Sequence, residues 1–147
     1  MRIELRDTPF EPLAELARYQ DGLATLRGRY GATACFIGTM RDFNEGEAVC
    51  GMYLEHYPGM TERELEKLVA EALERYGLLE ALVIHRVGAI EPNQPIVLVA
   101  VWSAHRAAAF DGCRQIMEEL KSRAPFWKRE TLVETETSRW VARNTPG

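Results

Sequence analysis

The sequence predicts a mixed α/β (α+β) fold, and three observations support this prediction. Segments with helical periodicity alternate along the chain with apolar, β-favouring segments. The 147 residues, 46% of them hydrophobic and 27% charged, fit the size and composition of one globular domain. The sequence contains no internal repeat, low-complexity tract or Pro/Ser-rich linker that would divide it. We therefore expect residues 1–147 to fold as a single domain.

The first half of the chain is expected to contain a short helix followed by two strands. Residues Glu11–Gln20 carry apolar side chains on one helical face and follow Pro9, which suits a helix start. Two β-favouring segments joined by a polar loop come next, namely Ala32–Thr39, the loop Arg41–Glu47, and Val49–His56.

The clearest helical signal runs from Thr61 to Tyr76. Apolar residues recur there at intervals of three and four, as on the buried face of an amphipathic helix. Thr61 and Glu64 have the spacing of a capping box, and Gly77 stands where a left-handed C-terminal cap is expected. We expect this helix to be purely structural.

The second half is expected to add two strands, a long helix and two shorter strands. The strands Leu79–Val87 and Ile96–Ala104 flank a loop at Glu91–Pro95, whose two prolines do not suit a β-ladder. A helix follows over about His105–Ser122, and the residues expected on its buried side are Phe110, Cys113, Met117 and Leu120. Two short strand-like segments complete the pattern, Phe126–Val133 and Arg139–Arg143.

The net charge of −4 at pH 7 argues against a nucleic-acid partner, because such proteins carry basic surfaces. One window departs from this average. Residues 105–130 hold six basic and four acidic side chains, which gives a local charge of +2. This window suits a small anionic substrate or an acidic partner, and it equally fits the solvated face of a charged helix.

Several further classes of protein are excluded by what the sequence lacks. Three cysteines without a C-x-x-C pair indicate reduced thiols. No apolar run approaches the roughly 20 residues of a membrane span, and the start of the chain lacks a signal-peptide core. We therefore expect a soluble, cytoplasmic protein without membrane contacts. Spacings typical of metal ligands and nucleotide-binding loops are also missing, so we expect no metal and no organic cofactor.

Lysine usage is the most informative feature of the composition. The chain has fifteen arginines and only three lysines, yet Lys121 and Lys128 lie seven residues apart. A chain reversal between the predicted helix and strand would bring both ammonium groups to one pocket. At about 6 Å and an effective dielectric constant near 20, they would repel by roughly 2.8 kcal/mol, which lowers one pKa by about two units. A lysine with a lowered pKa can act as an acid, base or nucleophile.

The two lysines also have a simpler interpretation. Lys121 can complement the negative end of a helix dipole, and Lys128 can be an ordinary surface residue of a strand. The sequence pattern alone leaves both interpretations open.

Two other segments are candidates for anion binding. His105 and Arg106 follow Ser103 at a strand-to-helix junction, where free backbone N–H groups attract a phosphate. Arg41 follows a strand and can hold an anion through two parallel hydrogen bonds. Each residue also fits an ordinary role at a helix start or in a loop. His56 and His85 lie in strand-like segments, where we expect structural histidines.

Several separate motifs resemble the large, catalytic subunit family of molybdopterin synthase. The most specific is residues 120–130, LKSRAPFWKRE, which contains both lysines. The others lie in family order at residues 38–46 (G-x-x-R-x-x-N-x-G), 54–62 (LEHYPGMTE), 84–88 (IHRVG) and 103–106 (SAHR). Together the resemblance covers about residues 30–143.

The resemblance implies both a fold and an activity. The implied fold is an α/β hammerhead-like domain with an additional small antiparallel β subdomain. The implied activity is that of a sulfur transferase in molybdenum-cofactor synthesis. In that family a homodimer of large subunits binds two small ubiquitin-like subunits, forming a heterotetramer. The C-terminal Gly-Gly of each small subunit carries a thiocarboxylate, whose sulfur converts cyclic pyranopterin monophosphate to molybdopterin.

The resemblance also implies roles for individual residues at matching positions. Lys121 and Lys128 match two catalytic lysines, with Lys121 expected at the thiocarboxylate and Lys128 beside the pterin. The matching substrate-binding positions are Arg41, His105, Arg106, Phe36, Met117 and Glu130. Phe36 and Met117 would serve equally well as core residues. Arg139 and Arg143 are candidates for a contact across the dimer.

Two alternative functions stay open at this stage. The first is a non-catalytic module that binds an anion or a protein tail, in which the lysines supply only charge. The second is a lysine Schiff-base enzyme, which would require a carbonyl substrate.

Overall fold

The computed structural model of the chain describes residues 1–44, 47–132 and 138–140, which form three α-helices and nine strands. The helices are α1 (Pro12–Asp21), α2 (Met60–Tyr76) and α3 (Arg106–Arg123). The strands are β1 (Arg2–Arg6), β2 (Ala32–Thr39), β3 (Phe43–Asn44), β4 (Glu47–His56), β5 (Glu80–Arg86), β6 (Gly88–Ile90), β7 (Pro95–Ser103), β8 (Phe126–Leu132) and β9 (Ser138–Trp140). None of the described helices is both long and apolar enough to cross a bilayer.

The first sheet has four strands in the order β1-β5-β7-β2. The pair β1–β5 is parallel, and the other two pairs are antiparallel. The central strands β5 and β7 are apolar and buried over almost their whole length, because helices cover both faces of the sheet. Helices α2 and α3 pack on one face around Leu65, Leu68 and Ile116, and α1 packs on the other face.

The second sheet is smaller and antiparallel, with the order β3-β4-β8-β9 and with β6 also paired to β4. Its inner face contributes Met52, Leu54 and Ile90 to a separate apolar cluster. Phe126, at the start of β8, touches both this cluster and the core beneath α2 and α3. The small sheet is therefore fixed against the larger one near the C-terminal end of α3.

The predicted mixed α/β fold with an additional antiparallel subdomain is confirmed. The predicted strand Ala32–Thr39 is found with the same bounds, and the three predicted helices are found within one or two residues of their expected ends. Gly77 has the expected left-handed conformation at the end of α2, with φ of 61°. Strands β1, β3 and β6 were not predicted. Pro95 begins β7, although the prolines were assigned to the preceding loop.

Two expectations about the helices were wrong. Phe110 was assigned to the buried side of α3, but its side chain is 68% exposed, and Ala109, Gly112 and Ile116 lie on the buried side instead. The capping box of α2 was assigned to Thr61 and Glu64. In the structure the cap residue is Gly59, whose N–H donates to Glu62 Oε2 at 2.9 Å.

Candidate active site

A cavity of about 350 Å³ lies where the second sheet meets the end of β2 and the C-terminal turns of α3. Six of the eight predicted site residues line it, namely Phe36, Arg41, Met117, Lys121, Lys128 and Glu130. Phe36 is 43% exposed and Met117 is half-buried, so both form the cavity wall and neither belongs to the closed core.

The two lysines reach this cavity because the chain reverses within two residues. Helix α3 ends at Arg123 and β8 begins at Phe126, which places Lys121 and Lys128 on either side of the turn. Along β8 the inward-facing side chains alternate, so Lys128 and the buried Glu130 point to the same side as Phe126. A helix end and a strand thus bring both amines to one cavity.

The environment lowers the pKa of Lys128 to about 8. Burial is the largest cause, because the charged ammonium loses hydration. The charge of Lys121 and a hydrogen bond with it lower the pKa of Lys128 further, and Glu130 opposes the shift. The sequence predicted the direction of the change from repulsion alone, whereas burial makes the larger contribution.

The turn between the lysines is held by α2. The Thr61 hydroxyl, which is fully buried, donates to the Pro125 carbonyl at 3.1 Å and accepts from the Tyr57 N–H at 3.0 Å. Next to it, the Arg123 guanidinium binds Glu64 at 2.9 Å and Glu71 at 2.6 Å. Helix α2 therefore fixes both the last residue of α3 and the residue before β8.

Arg41 is placed by a second set of backbone contacts. Met40, the buried residue before it, donates its N–H to the Gln94 carbonyl and accepts from the Asn93 N–H, both at 2.9 Å. The Gln94 side chain in turn accepts from the buried Arg86 guanidinium at 3.3 Å. The loop before β7 thus holds the end of β2 at the cavity rim.

His85 also lines the cavity, although its place in a strand-like segment predicts a structural histidine. Its ring stacks on Phe126 with centroids 4.2 Å apart and an interplanar angle of 15°. Nδ1 lies 2.7 Å from the Arg86 carbonyl oxygen. Burial, together with the charges of Lys128 and Lys121, lowers the pKa of His85 to about 4. The only sequence signal for it was its place in the IHRVG motif.

His105 and Arg106 do not line this cavity. His105 is the N-cap of α3 and Arg106 its first residue, and both side chains are exposed. Arg106 and Lys121 lie fifteen residues apart on one helix, which separates them by about 22 Å along its axis. Within one chain, these two residues and the lysines therefore form separate groups.

Some predicted features lie outside the described residues, namely Gly46, Arg143 and the side chain of Arg139. Among the residues that the structure describes, no three His, Cys, Asp or Glu side chains gather into a group that could hold a metal ion.

Comparisons with known proteins show the family to which the chain belongs. The family model described as "MoaE protein" matches residues 6–123. The chain belongs to the MoaE family. A protein of Pseudomonas aeruginosa named "Molybdopterin synthase catalytic subunit" is 48% identical over 141 residues, which cover 96% of this chain and 90% of that protein.

Solved structures of family members have the same fold. A structure titled "Molybdopterin biosynthesis MoaE protein" from Burkholderia ambifaria has a TM-score of 0.78 at 43% identity, covering 99% of this chain and 92% of that one. The structure titled "Molybdopterin Synthase" from Staphylococcus aureus has a TM-score of 0.82 at 26% identity, covering 95% and 96% respectively.

The lowered pKa of Lys128 can be measured directly, because the MoaE-family chain described here has only three lysines. With isotope-labelled lysine side chains, nuclear magnetic resonance should show one signal that loses its proton near pH 8, and Lys128→Arg should remove that signal. Lys121→Met removes the neighbouring charge and should move this midpoint to higher pH. Titration of all three lysines near their usual pKa of about 10.4 would show that the cavity does not lower the pKa of Lys128.

Thr61 does not line the cavity, but its hydrogen bond to Pro125 should influence the pKa of Lys128. Thr61→Val keeps the side-chain shape but removes the hydroxyl, so the Pro125 carbonyl loses its donor and the start of β8 is released. We expect the midpoint of Lys128 to rise towards its usual value. Thr61→Ser retains the hydroxyl and should leave the midpoint unchanged. A folded Thr61→Val variant with the wild-type midpoint would show that Thr61 does not position this turn.

Proposed function

We propose that this chain is the catalytic subunit of a molybdopterin synthase. It converts cyclic pyranopterin monophosphate to molybdopterin, and its sulfur donor is the C-terminal thiocarboxylate of a small ubiquitin-like subunit. The observation that carries this proposal is the meeting of Lys121, Lys128 and Arg41 at one cavity in a member of the MoaE family. The protein acts in the cytoplasm.

The residues of the cavity suit a reaction between two anions. A thiocarboxylate and a cyclic phosphate repel each other, and three cationic side chains at one cavity offset that repulsion. Lys121 contacts the thiocarboxylate end and handles protons or transient acyl chemistry. Lys128 positions the pterin and stabilises developing negative charge.

The pKa of Lys128 allows it both to stabilise negative charge and to exchange a proton. At neutral pH a group with a pKa of about 8 is mostly protonated, so it can stabilise an anion. It lies close enough to the working pH to exchange its proton during turnover. A guanidinium would supply the charge but would not release its proton.

The cavity also accommodates the substrate-binding roles of the other residues. Arg41 supplies donors for the phosphate at the rim, and Phe36 and Met117 form an apolar wall suited to a flat ring. The buried carboxylate of Glu130 lies two residues from Lys128 on the same face of β8 and favours its charged form. These residues bind substrate and set the electrostatics of the two amines.

His105 and Arg106 serve the cavity of a second copy in a homodimer. About 22 Å of helix separates them from Lys121 of their own chain, which is too far for one small substrate to bridge. Both are exposed at a helix N-terminus, where the helix dipole favours a phosphate. The active heterotetramer then contains two large and two small subunits, and each cavity uses residues of both large subunits.

Substitution of the two lysines tests the catalytic proposal. Lys121→Ala and Lys128→Ala should each lower the rate of molybdopterin formation by about 100-fold or more, in an assay with thiocarboxylated small subunit and cyclic pyranopterin monophosphate. Lys67→Ala is the matched control, since Lys67 is exposed on α2 and should not affect the rate. Near-normal turnover by the folded Lys121→Ala and Lys128→Ala variants would remove both residues from the mechanism.

The conservative variant Lys121→Arg tests whether Lys121 takes part in the chemistry or supplies only a positive charge. If Lys121 transfers a proton or forms an acyl intermediate, arginine should not restore the rate. Full activity of this variant would instead favour a module in which the lysines supply only charge.

A mixed dimer tests whether Arg106 acts on the neighbouring cavity. Arg106→Ala and Lys121→Ala should each be defective alone, but dimers with one copy of each should regain about half the activity per dimer. One of their cavities then carries both lesions and the other carries none. If Arg106 served its own chain, both cavities would carry one lesion and the mixed dimer would stay inactive. Two tags of different kinds allow the mixed dimer to be purified.

A further inference from the structure

We infer that His85 is a substrate-binding residue of this cavity, where the Nε2 lone pair of a neutral imidazole accepts a hydrogen bond from an N–H group of the pterin ring. The inference rests on the proposed function and assigns a role to a residue that the predicted site did not include. It follows from the tautomer of the ring, its position and the chemistry of the groups around it.

The contact with the backbone fixes the tautomer of His85. A carbonyl oxygen only accepts hydrogen bonds, so Nδ1, at 2.7 Å from the Arg86 carbonyl, carries the proton. In a neutral ring the lone pair is then on Nε2, at the end of the ring farther from its own backbone. Arg86, which carries this carbonyl, is the last residue of β5, and its side chain donates to the Ala89 carbonyl at 2.6 Å.

The ring is held in a single orientation at the cavity wall. It is 4% exposed, lines the cavity and stacks on Phe126, two residues before Lys128. His85 belongs to the first sheet and Phe126 to the second, so the stacked pair joins the two sheets beside the amines. A side chain fixed by a hydrogen bond at Nδ1 and by ring stacking holds Nε2 in a defined direction.

The surroundings keep the ring uncharged at the pH at which the amines are charged. Lys121 and Lys128 are the cations that face it from α3 and β8, and both disfavour an imidazolium. Burial disfavours the imidazolium most strongly, and Glu130 lines the same cavity from β8. The Nε2 atom therefore stays an acceptor throughout the physiological range.

An acceptor is the group that a pterin requires and that the cationic residues do not provide. Protonated lysine and arginine side chains donate hydrogen bonds and accept none, so in their charged forms Arg41, Lys121 and Lys128 match the phosphate and the thiocarboxylate. The pterin ring also presents N–H donors, which lose their hydrogen bonds to water when the ring enters the cavity. An unmatched buried donor is unfavourable, and the neutral nitrogen of His85 satisfies one without adding a charge.

The unmodified protein provides the first test. The chain has three histidines, at positions 56, 85 and 105, so selective ¹⁵N labelling gives few signals to assign. In the free protein, His85 should show a protonated Nδ1 and an unprotonated Nε2. Addition of cyclic pyranopterin monophosphate should move the Nε2 resonance in the direction typical of an accepted hydrogen bond and leave Nδ1 nearly unchanged. An Nε2 resonance that stays in place at saturating ligand overturns the inference.

Two variants test the same contact by affinity. His85→Phe keeps a ring to stack on Phe126 but has no acceptor, and it should weaken binding of the pterin by about 10- to 100-fold. His85→Gln keeps a polar group near the Nε2 position and should bind within a few-fold of the wild type. Thermal unfolding identifies variants that do not fold. A folded His85→Phe protein with wild-type affinity for the pterin overturns the inference.

The outcomes also separate this inference from the proposed function. If the wild-type protein neither binds nor converts the pterin, the proposed function fails and the role of His85 fails with it. If the wild type binds and converts the pterin while neither the Nε2 resonance nor the affinity of His85→Phe changes, only the role of His85 is wrong.

Discussion

Two ammonium groups of like charge share one partly buried cavity, and most of the structure around the site serves to keep them there. Burial and the charge of Lys121 both disfavour the protonated form of Lys128. An isolated helix–turn–strand segment would relax by separating the amines. Here the turn is tied to α2 through Thr61 and Arg123, and Phe126 is packed against His85 of the first sheet. The apolar core beneath α2 and α3 thus stabilises an arrangement that is unfavourable locally, as is common at functional sites.

The elements found from the sequence are those whose own residues determine their conformation. Ala32–Thr39 is apolar and β-favouring throughout, and α2 has a full apolar face with a left-handed glycine at its end. Strand β1 was not predicted, although RIELR alternates charged and apolar residues as a half-buried strand does. It has only five residues, and its conformation depends on parallel pairing with β5, eighty residues away. Phe110 was placed in the core on its hydrophobicity, whereas the small residues Ala109 and Gly112 allow α3 to pack closely.

Site residues that stand out in the amino-acid composition could be predicted from the sequence. Properties that depend on contacts between distant segments could not. The scarcity of lysine singled out Lys121 and Lys128, but the extent of burial that lowers the pKa of Lys128 required the second sheet. Thr61 has the spacing of a helix cap, yet its hydroxyl binds a carbonyl sixty-four residues away. A buried histidine in a strand gives no sequence signal that distinguishes a cavity wall from a closed core, so His85 was assigned a structural role.

Arginine and lysine have different uses in this structure. The arginines in ion pairs keep their charge, whereas a lysine at the cavity can lose its proton near neutral pH. Arg123 joins α2 to α3 through two carboxylates on α2, and Arg6 joins β1 to α1 through Glu15. In both pairs the carboxylates raise the pKa of the guanidinium, so these links persist at any pH at which the carboxylates are ionised. Lysine stands at the cavity, where burial moves its pKa to about 8. The cavity can therefore change its protonation state near neutral pH without loosening the ion pairs that hold the helices, which is a useful property for a site that must handle protons and then return to its starting state.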